Sequence, residues 1–399
     1  MKCKLLIVLA LSAAGSAVLA NPSQRQPPGC DITTLRQHGE KAQLIVFGSL
    51  VKANAGTTVA LQVEGVLKGE QLLAGRKSLP MPAAGDIEID PKKTPRYVVF
   101  CDVKKGEIEG SLGIPIENAD ILKYLSGALA LNDHDGAAML KFFFNWLDHP
   151  DPNIASDAFL EFPYADYQDV KKAAQTFPAD RIAQWLQDSD TPWWQYRTFS
   201  FLLGHCGQPQ HAAVIRKVLD DPRLYHSPHL DGVLNGYTLL APEQGWAFTR
   251  AILANPIGRA HNAASGGVGT AVLADLQPEY SWRRRSALVS VKFLHKHWPD
   301  LVDRKKLIEG VGRALDQCDA DEAIDVLRQL KAVDYLDKVL ALMDQPRCNY
   351  PIARRAIMGF AVTFQDHPKA AAFIEARRQL DPGWVQHVEN LVKEEAKGK

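Results

Sequence analysis

The stretch Trp146-Leu147-Asp148-His149-Pro150-Asp151-Pro152 returns 39 residues later as Trp185-Leu186-Gln187-Asp188-Ser189-Asp190-Thr191-Pro192. Each copy is followed by a segment in which apolar residues have helical spacing. A period of about 40 residues in a helical region is typical of stacked helix pairs, which cannot bury their apolar faces alone and rest on their neighbours. This repeat therefore predicts an extended α-solenoid.

Turns in the helical region recur in one form, an Asp or Asn followed directly by Pro. The cases are Asp151-Pro152, Asp221-Pro222, Asn255-Pro256 and Asp381-Pro382. The side chain caps exposed N–H groups at a helix start, and Pro fits the first helical position because its missing N–H costs nothing there. We expect about fourteen to sixteen short helices between residues 117 and 392, hence six or seven pairs.

Within a predicted β-barrel domain at 30–116, residues 43–116 follow a period of two residues instead of 3.6. Leu44–Phe47, Thr58–Val63 and Tyr97–Phe100 are β-rich runs separated by Gly, Pro and Asn clusters, as strands and turns should be. Five or six short strands, preceded by a helical turn around Thr33–Gly39, predict a small closed barrel, since closure removes unpaired edges. The predicted fold class is α+β multidomain, a small N-terminal β-barrel followed by an all-α HEAT-like solenoid.

The residues also carry a resemblance to known families. The ordered segments Ala42–Gly48, Val59–Gly69 and Arg96–Phe100 resemble the netrin/TIMP-like, OB-type barrels of secreted proteins. The helical region resembles HEAT-like or armadillo-like repeat proteins, which share no catalytic residues. The whole plan resembles exported bacterial proteins that join a small β domain to such repeats.

The barrel resemblance implies either of two roles. Tissue inhibitors of metalloproteases bind the protease metal through a Cys at the mature N-terminus, but Cys30 here lies about ten residues beyond the predicted cut. We therefore do not expect that inhibitory wedge. A generic barrel used as a cap or adaptor is the favoured alternative.

The N-terminus has the pattern of a cleavable export signal. Lys2 and Lys4 precede an apolar run, and Val18-Leu19-Ala20 offers small residues for cleavage after Ala20. We predict a secreted or periplasmic protein with a signal peptide at 1–20, a flexible segment at 21–29 and a disordered tail at 393–399. No later segment reaches about 18 uninterrupted apolar residues, so membrane insertion is not expected.

The amino-acid composition argues against some classes of binding partner. Lys plus Arg and Asp plus Glu balance at 46 each, so no bulk charge recruits nucleic acid or an anionic membrane. Five cysteines remain after the signal, which leaves at least one thiol free or paired with another chain. The favoured disulfide joins Cys30 and Cys101, the two cysteines of the N-terminal domain, whereas Cys206 reads as a small buried apolar residue.

Candidate chemical motifs are weak. The Gly-rich run Ser265–Thr270 lacks the Lys of a P-loop, and His226-Ser227-Pro228-His229 and His295-Lys296-His297 lack the spacing of a zinc protease. Asp319-Ala320-Asp321-Glu322 suits the start of a helix, where negative charge is favourable. Asp148–Asn153 reads as a turn with a cap rather than a calcium loop. We predict no catalytic residue, no cofactor and no metal.

Two features could mark a binding face. The aromatic residues Trp193, Trp194 and Tyr196 are too close in sequence for a helix to bury all of them on one side. The run Arg283-Arg284-Arg285 begins a basic zone in a neutral chain, which continues with Lys292, Lys296 and Arg304-Lys305-Lys306. Solvated helix faces are the favoured explanation, and docking of an acidic peptide or glycan is the alternative.

These features favour an exported, non-enzymatic scaffold or binding protein whose solenoid surface engages a protein or peptide. One alternative is a protease inhibitor that acts through the N-terminal barrel. Another is an enzyme with an unrecognised site at the barrel–solenoid junction.

Overall fold

The computed structural model describes residues 9–10, 33–52, 59–81, 94–132, 134–163, 165–224, 227, 229–254, 278–316 and 320–397. The chain divides into two compact units, Met1–Ala173 and Ala174–Lys399. Strands lie in the first unit, and among the described residues the last strand ends at Pro115. The change from strands to helices therefore falls where the sequence period changes.

The first unit begins with a helix, α1 (Leu35–Lys41), and an antiparallel sheet. The strands are β1 (Leu9–Ala10), β2 (Leu44–Lys52), β3 (Val59–Lys68), β4 (Ser78–Met81), β5 (Arg96–Lys104) and β6 (Glu107–Pro115). Their order across the sheet is β1-β6-β5-β2-β3-β4. The N-terminal helix and β region predicted from the sequence are thus present.

The expected closure into a barrel is not found among the described strands. The ladder ends at β1 on one side and at the four-residue β4 on the other. Register shifts occur in the β2–β3 pair at Phe47/Gly48 and in the β5–β6 pair at Phe100/Cys101. Bulges of this kind bend and twist strands, so the sheet curls without joining its two edges in the described part.

Both faces of the sheet are covered. One face holds an apolar cluster built from alternate strand residues: Leu44, Val46, Leu50, Val59, Leu61, Leu73, Leu79, Met81, Val99, Cys101 and Ile108. On the opposite face α1 packs closely, because a side chain at Gly39 would collide with Leu129 and meet Ile45 at 3.5 Å. The ring of His38 also meets that of Phe100, with centroids 6.3 Å apart.

Four helices follow the sheet: α2 (Asp120–Leu129), α3 (Gly136–Phe144), α4 (Pro152–Leu160) and α5 (Tyr167–Ala174). The first copy of the sequence repeat joins α3 to α4. Leu147 in this copy is buried, and the Asp151 carboxylate caps α4 by accepting from the Asn153 amide at 3.0 Å. The predicted stripe is buried as well: Ile154, Ala158, Phe159 and Phe162.

The second unit is helical throughout its described residues. Its helices are α6 (Ala179–Gln187), α7 (Tyr196–Cys206), α8 (Ala212–Leu219), α9 (Asp231–Leu240), α10 (Pro242–Ala254), α11 (Pro278–His297), α12 (Arg304–Gly312), α13 (Ala320–Gln329), α14 (Leu336–Ala341), α15 (Pro351–Thr363), α16 (Pro368–Leu380) and α17 (Pro382–Lys397). The second copy of the repeat ends α6 and leads into α7, so both copies precede a helix as predicted.

Packing in the second unit alternates along the chain. From α7 to α17, each odd-numbered helix packs against the next odd-numbered one. The even-numbered helices form a second set, in which α6 packs on α8, α10 on α12 and α14 on α16. Each even-numbered helix also packs on at least one odd-numbered neighbour in sequence. We call the first set the odd row and the second the even row.

The Asp-Pro turns begin helices as predicted. Pro152 and Pro382 are the first residues of α4 and α17, and Pro222 opens a 3-10 turn. The Asp381 carboxylate accepts from the Trp384 amide at 2.9 Å, and Asp221 accepts from the Arg223 amide at 2.8 Å. The pair Asn255-Pro256 lies outside the described residues.

The helices α7 and α9 approach each other through small residues. A Cβ atom placed on Gly204 would lie 2.6 Å from the Gly236 Cα atom. A Cβ atom on Gly236 would overlap the carbonyl oxygen of Ser200, which is fully buried. The two backbones therefore meet at a distance that only glycine permits at these positions.

Candidate functional site

The aromatic run predicted as a binding feature lies at the start of α7. Trp193 and Trp194 belong to a 3-10 turn, Trp193–Gln195, and Tyr196 is the first residue of α7. Trp193 is 39% exposed, Trp194 is half-buried and Tyr196 is buried. Of these three aromatic residues, Trp193 therefore offers the largest solvent-facing apolar surface.

Tyr196 belongs to a local polar network. Its hydroxyl accepts from Arg223 Nη2 at 2.6 Å, and the guanidinium lies 5.4 Å from the tyrosine ring centroid. Arg223 in turn donates to both carboxylate oxygens of Asp221, from Nε to Oδ1 at 3.1 Å and from Nη2 to Oδ2 at 2.7 Å. The hydrogen bonds from Arg223 lower the pKa of Asp221 below its ordinary value. Arg223 thus anchors the start of α7 to the Asp-Pro turn after α8.

A second ion pair joins α7 to α9. Arg197 donates to the Asp231 carboxylate from Nε at 3.0 Å and from Nη2 at 2.8 Å. Burial by itself lowers the pKa of Arg197, but the charge and hydrogen bonds of Asp231 raise it above its ordinary value. A bidentate pair of this kind fixes both distance and orientation between two helices.

The run Arg283-Arg284-Arg285 lies on α11, and its members point in different directions, since successive helical residues are turned by about 100°. Arg284 is buried at 2% exposure and Arg283 is half-buried. Arg285 lies 3.8 Å from Asp321 of α13, and its guanidinium is 5.9 Å from the Trp282 ring centroid. These residues therefore do not form one basic surface.

Acidic residues of α13 form ion pairs with basic residues of α11. Lys292 donates to Glu322 at 2.9 Å and to Asp325 at 2.8 Å. Burial lowers the pKa of Lys292, but the two carboxylates raise it above its ordinary value. The helix-start interpretation of Asp321 and Glu322 is confirmed, because both lie in the first turn of α13. Two residues of the basic zone, Arg285 and Lys292, are therefore paired with Asp321 and Glu322 of the acidic run.

Large apolar side chains remain exposed along the odd row. Trp193 precedes α7, Trp282 and Val289 lie on α11, and Ile352 lies on α15; their exposures are 39%, 38%, 41% and 54%. We call these four residues the candidate binding face. The positions 282 and 289 are seven residues apart, so they share one side of α11.

The first unit contains a buried polar cluster that joins α1 to α2 and α4. Its members are Thr34, Arg36, Tyr124, Asp157 and Glu161, which we call the Asp157 cluster. Asp157 accepts from the Leu35 amide at 2.8 Å and from the Tyr124 hydroxyl at 2.5 Å. The exposures of Thr34, Tyr124, Asp157 and Glu161 are 1%, 0%, 8% and 5%, so the cluster is closed to solvent.

Glu161 is the second carboxylate of this cluster and lies one turn after Asp157. It accepts from the Thr34 hydroxyl at 2.6 Å and from Arg36 Nη2 at 3.1 Å. Arg36 also pairs with Glu40 on its own helix. Buried charges of this kind are tolerated only when they are paired and hydrogen-bonded.

Burial shifts the titration of the cluster. It raises the pKa of Asp157 to about 6, from an ordinary value of 3.8. The Glu161 charge raises this pKa further, while the hydrogen bonds from Tyr124 and Leu35 and the charge of Arg36 lower it. Burial, followed by the Asp157 charge, raises the pKa of Tyr124 well above its ordinary value, so Tyr124 remains a donor.

Sequence reasoning did not identify the Asp157 cluster, although two signals were present. Asp157 and Glu161 interrupt the apolar stripe of α4, and Thr34 with Gln37 has the spacing of a capping box. What the sequence could not show is that these two segments, more than 120 residues apart, meet.

One end of the predicted disulfide, Cys30, lies outside the described residues. Cys101 is a buried thiol in the sheet core with no disulfide partner among the described residues, and burial raises its pKa to about 12. Burial likewise raises the pKa of the half-buried Cys206 to about 11. Both thiols are therefore poor nucleophiles at neutral pH.

Three other sequence motifs lie wholly or partly outside the described residues or in the turn after α3. Ser265–Thr270 and His226 lie outside the described residues. In the predicted turn after α3, the His149 ring lies 3.4 Å from Asp120, and Asp151 accepts from Asn118 at 3.0 Å. The side chains of this turn therefore cap α4 and hold the turn against the start of α2.

Searches of protein families, curated proteins and solved structures give no match to this chain. Within the described residues, no group of three or more His, Cys, Asp or Glu side chains could hold a metal ion. Among the described helices, none combines the length and apolar character needed to cross a bilayer.

Proposed function

We propose that the protein is a non-enzymatic scaffold in which the helices of the second unit form a HEAT-like solenoid that binds a protein or peptide. The observation that carries this proposal is the alternating packing of the odd and even rows. In a solenoid, each helix pair contacts mainly the pairs before and after it, and one row presents a continuous surface.

The candidate binding face supplies the apolar contacts. Trp193, Trp282, Val289 and Ile352 lie on or beside helices of the same row, so one extended partner could touch several of them. Tryptophan and other large apolar residues contribute a disproportionate share of binding energy at protein interfaces. The Arg197–Asp231 and Arg285–Asp321 pairs hold neighbouring helices of this row in register.

The location of the protein and the role of its N-terminal sheet are proposed from sequence patterns alone. We propose that the protein acts in the periplasm or outside the cell, after cleavage behind Ala20. The N-terminal sheet is proposed to be a netrin/TIMP-like module that serves as a cap or adaptor.

A capture experiment tests the role of the candidate binding face. Full-length protein would be cross-linked to partners in the native exported fraction and compared with the double variant Trp282→Ser/Ile352→Ser. The matched control is Val333→Ser/Leu380→Ser, which removes two other exposed apolar residues, before α14 and at the end of α16. We expect the first variant to lose at least about tenfold in capture, corresponding to roughly 1.4 kcal/mol, and the control to retain it.

Equal capture by both variants would contradict the proposal. Retention of the partner by both variants would favour the alternative hypothesis, a protease inhibitor that acts through the N-terminal sheet. Equal loss in both would indicate a surface property rather than a binding face on the odd row.

A further inference from the structure

We propose that the Asp157 cluster is a proton-operated clamp, in which uptake of one proton by Asp157 strengthens the attachment of α1 to α2 and α4. This inference concerns the first unit and does not depend on the proposed solenoid or its partner. The geometry points to it because one buried carboxylate receives hydrogen bonds from two separate elements, α1 and α2.

The clamp holds a helix on which the sheet depends. The side of α1 that carries His38 and Gly39 packs on the sheet, while its N-terminal end meets Asp157 of α4 and Glu161, which follows α4. Any weakening at the N-terminal end therefore loosens the cover of the sheet.

Charge counting explains why a proton matters. Among the described residues, the charged or titratable groups that face Asp157 are Arg36 on α1, Tyr124 on α2 and Glu161 after α4. With both carboxylates ionised and Tyr124 neutral, the cluster holds two negative charges against the one positive charge of Arg36. One proton on Asp157 brings the charge of these buried groups to zero in a place with little solvent to stabilise an excess charge. Glu40, which also pairs with Arg36, is exposed, and solvent screens its charge.

Protonation keeps the hydrogen bonds in place. The Asp157 carbonyl oxygen can still accept from the Leu35 amide, and the new O–H group can donate to the Tyr124 oxygen. The contact with Tyr124 is then retained with its direction reversed, because the Tyr124 hydroxyl rotates to accept from Asp157 instead of donating to it.

The sign of the pH dependence follows from the direction of the pKa shift. The pKa of Asp157 is raised to about 6 in the folded protein, above its ordinary value of 3.8. Folded protein therefore binds this proton more tightly than open protein does. The attached state gains stability as pH falls from neutral through about 6, and loses it as pH rises through the same range.

Amide hydrogen exchange of α1 measures the clamp. The reporters are the His38 and Ala42 amides, which donate within the helix to Thr34 and His38 at 2.9 Å each. The lowered pKa of His38 on α1 gives a separate response that weakens the helix as pH falls, so the readout is wild type relative to Asp157→Asn. After correction for the intrinsic pH dependence of exchange, we expect this ratio of protection to be about tenfold greater at pH 5 than at pH 7.5, with Asp157→Asn more protected than wild type at pH 7.5.

Two further variants make the result decisive. Glu107→Gln changes an exposed carboxylate of the same unit to an amide and should behave as wild type. Tyr124→Phe removes a hydrogen bond that lowers the pKa of Asp157, so the midpoint of the pH response should move to higher pH. The proposal is overturned if Asp157→Asn keeps the wild-type response, because only the part of the response that the two proteins do not share belongs to Asp157. Should Asp157→Asn fail to fold, an unmoved midpoint in Tyr124→Phe overturns it equally.

Discussion

At the residue scale, Thr34 shows how one hydroxyl can serve two purposes. It accepts from the Gln37 amide at 3.3 Å, which caps α1, and donates to buried Glu161 at 2.6 Å. The cap is readable from the Thr34-x-x-Gln37 spacing. The bond to Glu161 is not, because local sequence carries no record of which distant segment will lie against a helix end.

Replacing Thr34 therefore should cost more than the loss of a cap. Thr34→Ala removes a cap that typically contributes about 1 kcal/mol and leaves a buried carboxylate with one donor fewer. We expect the free energy of unfolding of the first unit to fall by about 2 kcal/mol, measured by urea denaturation. Thr33→Ala is the matched control, since Thr33 precedes the cap, and should change it by less than about 0.5 kcal/mol. Equal effects in the two variants would show that the hydroxyl contributes nothing specific.

At the scale of elements, local signals predicted where helices begin and strands run, but not how they pair. The Asp-Pro turns begin helices because capping depends on residues next to each other in sequence. The runs with a period of two form strands because alternation is likewise a local property. Barrel closure was expected and is not found in the described strands, because it depends on whether the two edge strands, β1 and β4, meet. The pairing of Arg285 with Asp321 was not predicted either. The basic run was explained by a solvated helix face and the acidic run by a helix start, so neither indicated a partner.

The contact between α7 and α9 gives a prediction at this scale. Gly236→Ala would place a methyl group against the Ser200 backbone oxygen, which cannot move without displacing α7. We expect the second unit to lose at least about 2 kcal/mol of unfolding free energy in a denaturant titration.

Gly359→Ala is the matched control for that substitution. Its added Cβ would meet Val392 Cγ2 at 3.7 Å, an ordinary contact, in the interior of helix α15. Because alanine favours helix over glycine, we expect a gain of about 0.5–1 kcal/mol. Destabilisation by both changes to the same extent would contradict the close-approach explanation of Gly236.

At the scale of the whole molecule, the sequence predicted a β region followed by helices, and this order is present. The sequence repeat, with its period of 39 residues, indicated repeated helices, but it could not specify the packing of α7 against α9 or of α13 against α15. Those contacts depend on side chains spread over the entire second unit. The proposed solenoid therefore depends on the pattern of contacts between rows, which a disruptive substitution can probe.

The most direct test of the solenoid is how far the damage from one substitution spreads. Val388 is buried in the apolar cluster that joins α15, α16 and α17, whereas neighbouring His387 is exposed. In a chain of nearest-neighbour contacts, Val388→Asp should increase amide hydrogen exchange in α15, α16 and α17 and leave α7 and α9 as protected as in His387→Asp. Equal loss of protection in α7 and α9 would mean that the second unit unfolds as a single cooperative core, and would contradict the proposed solenoid.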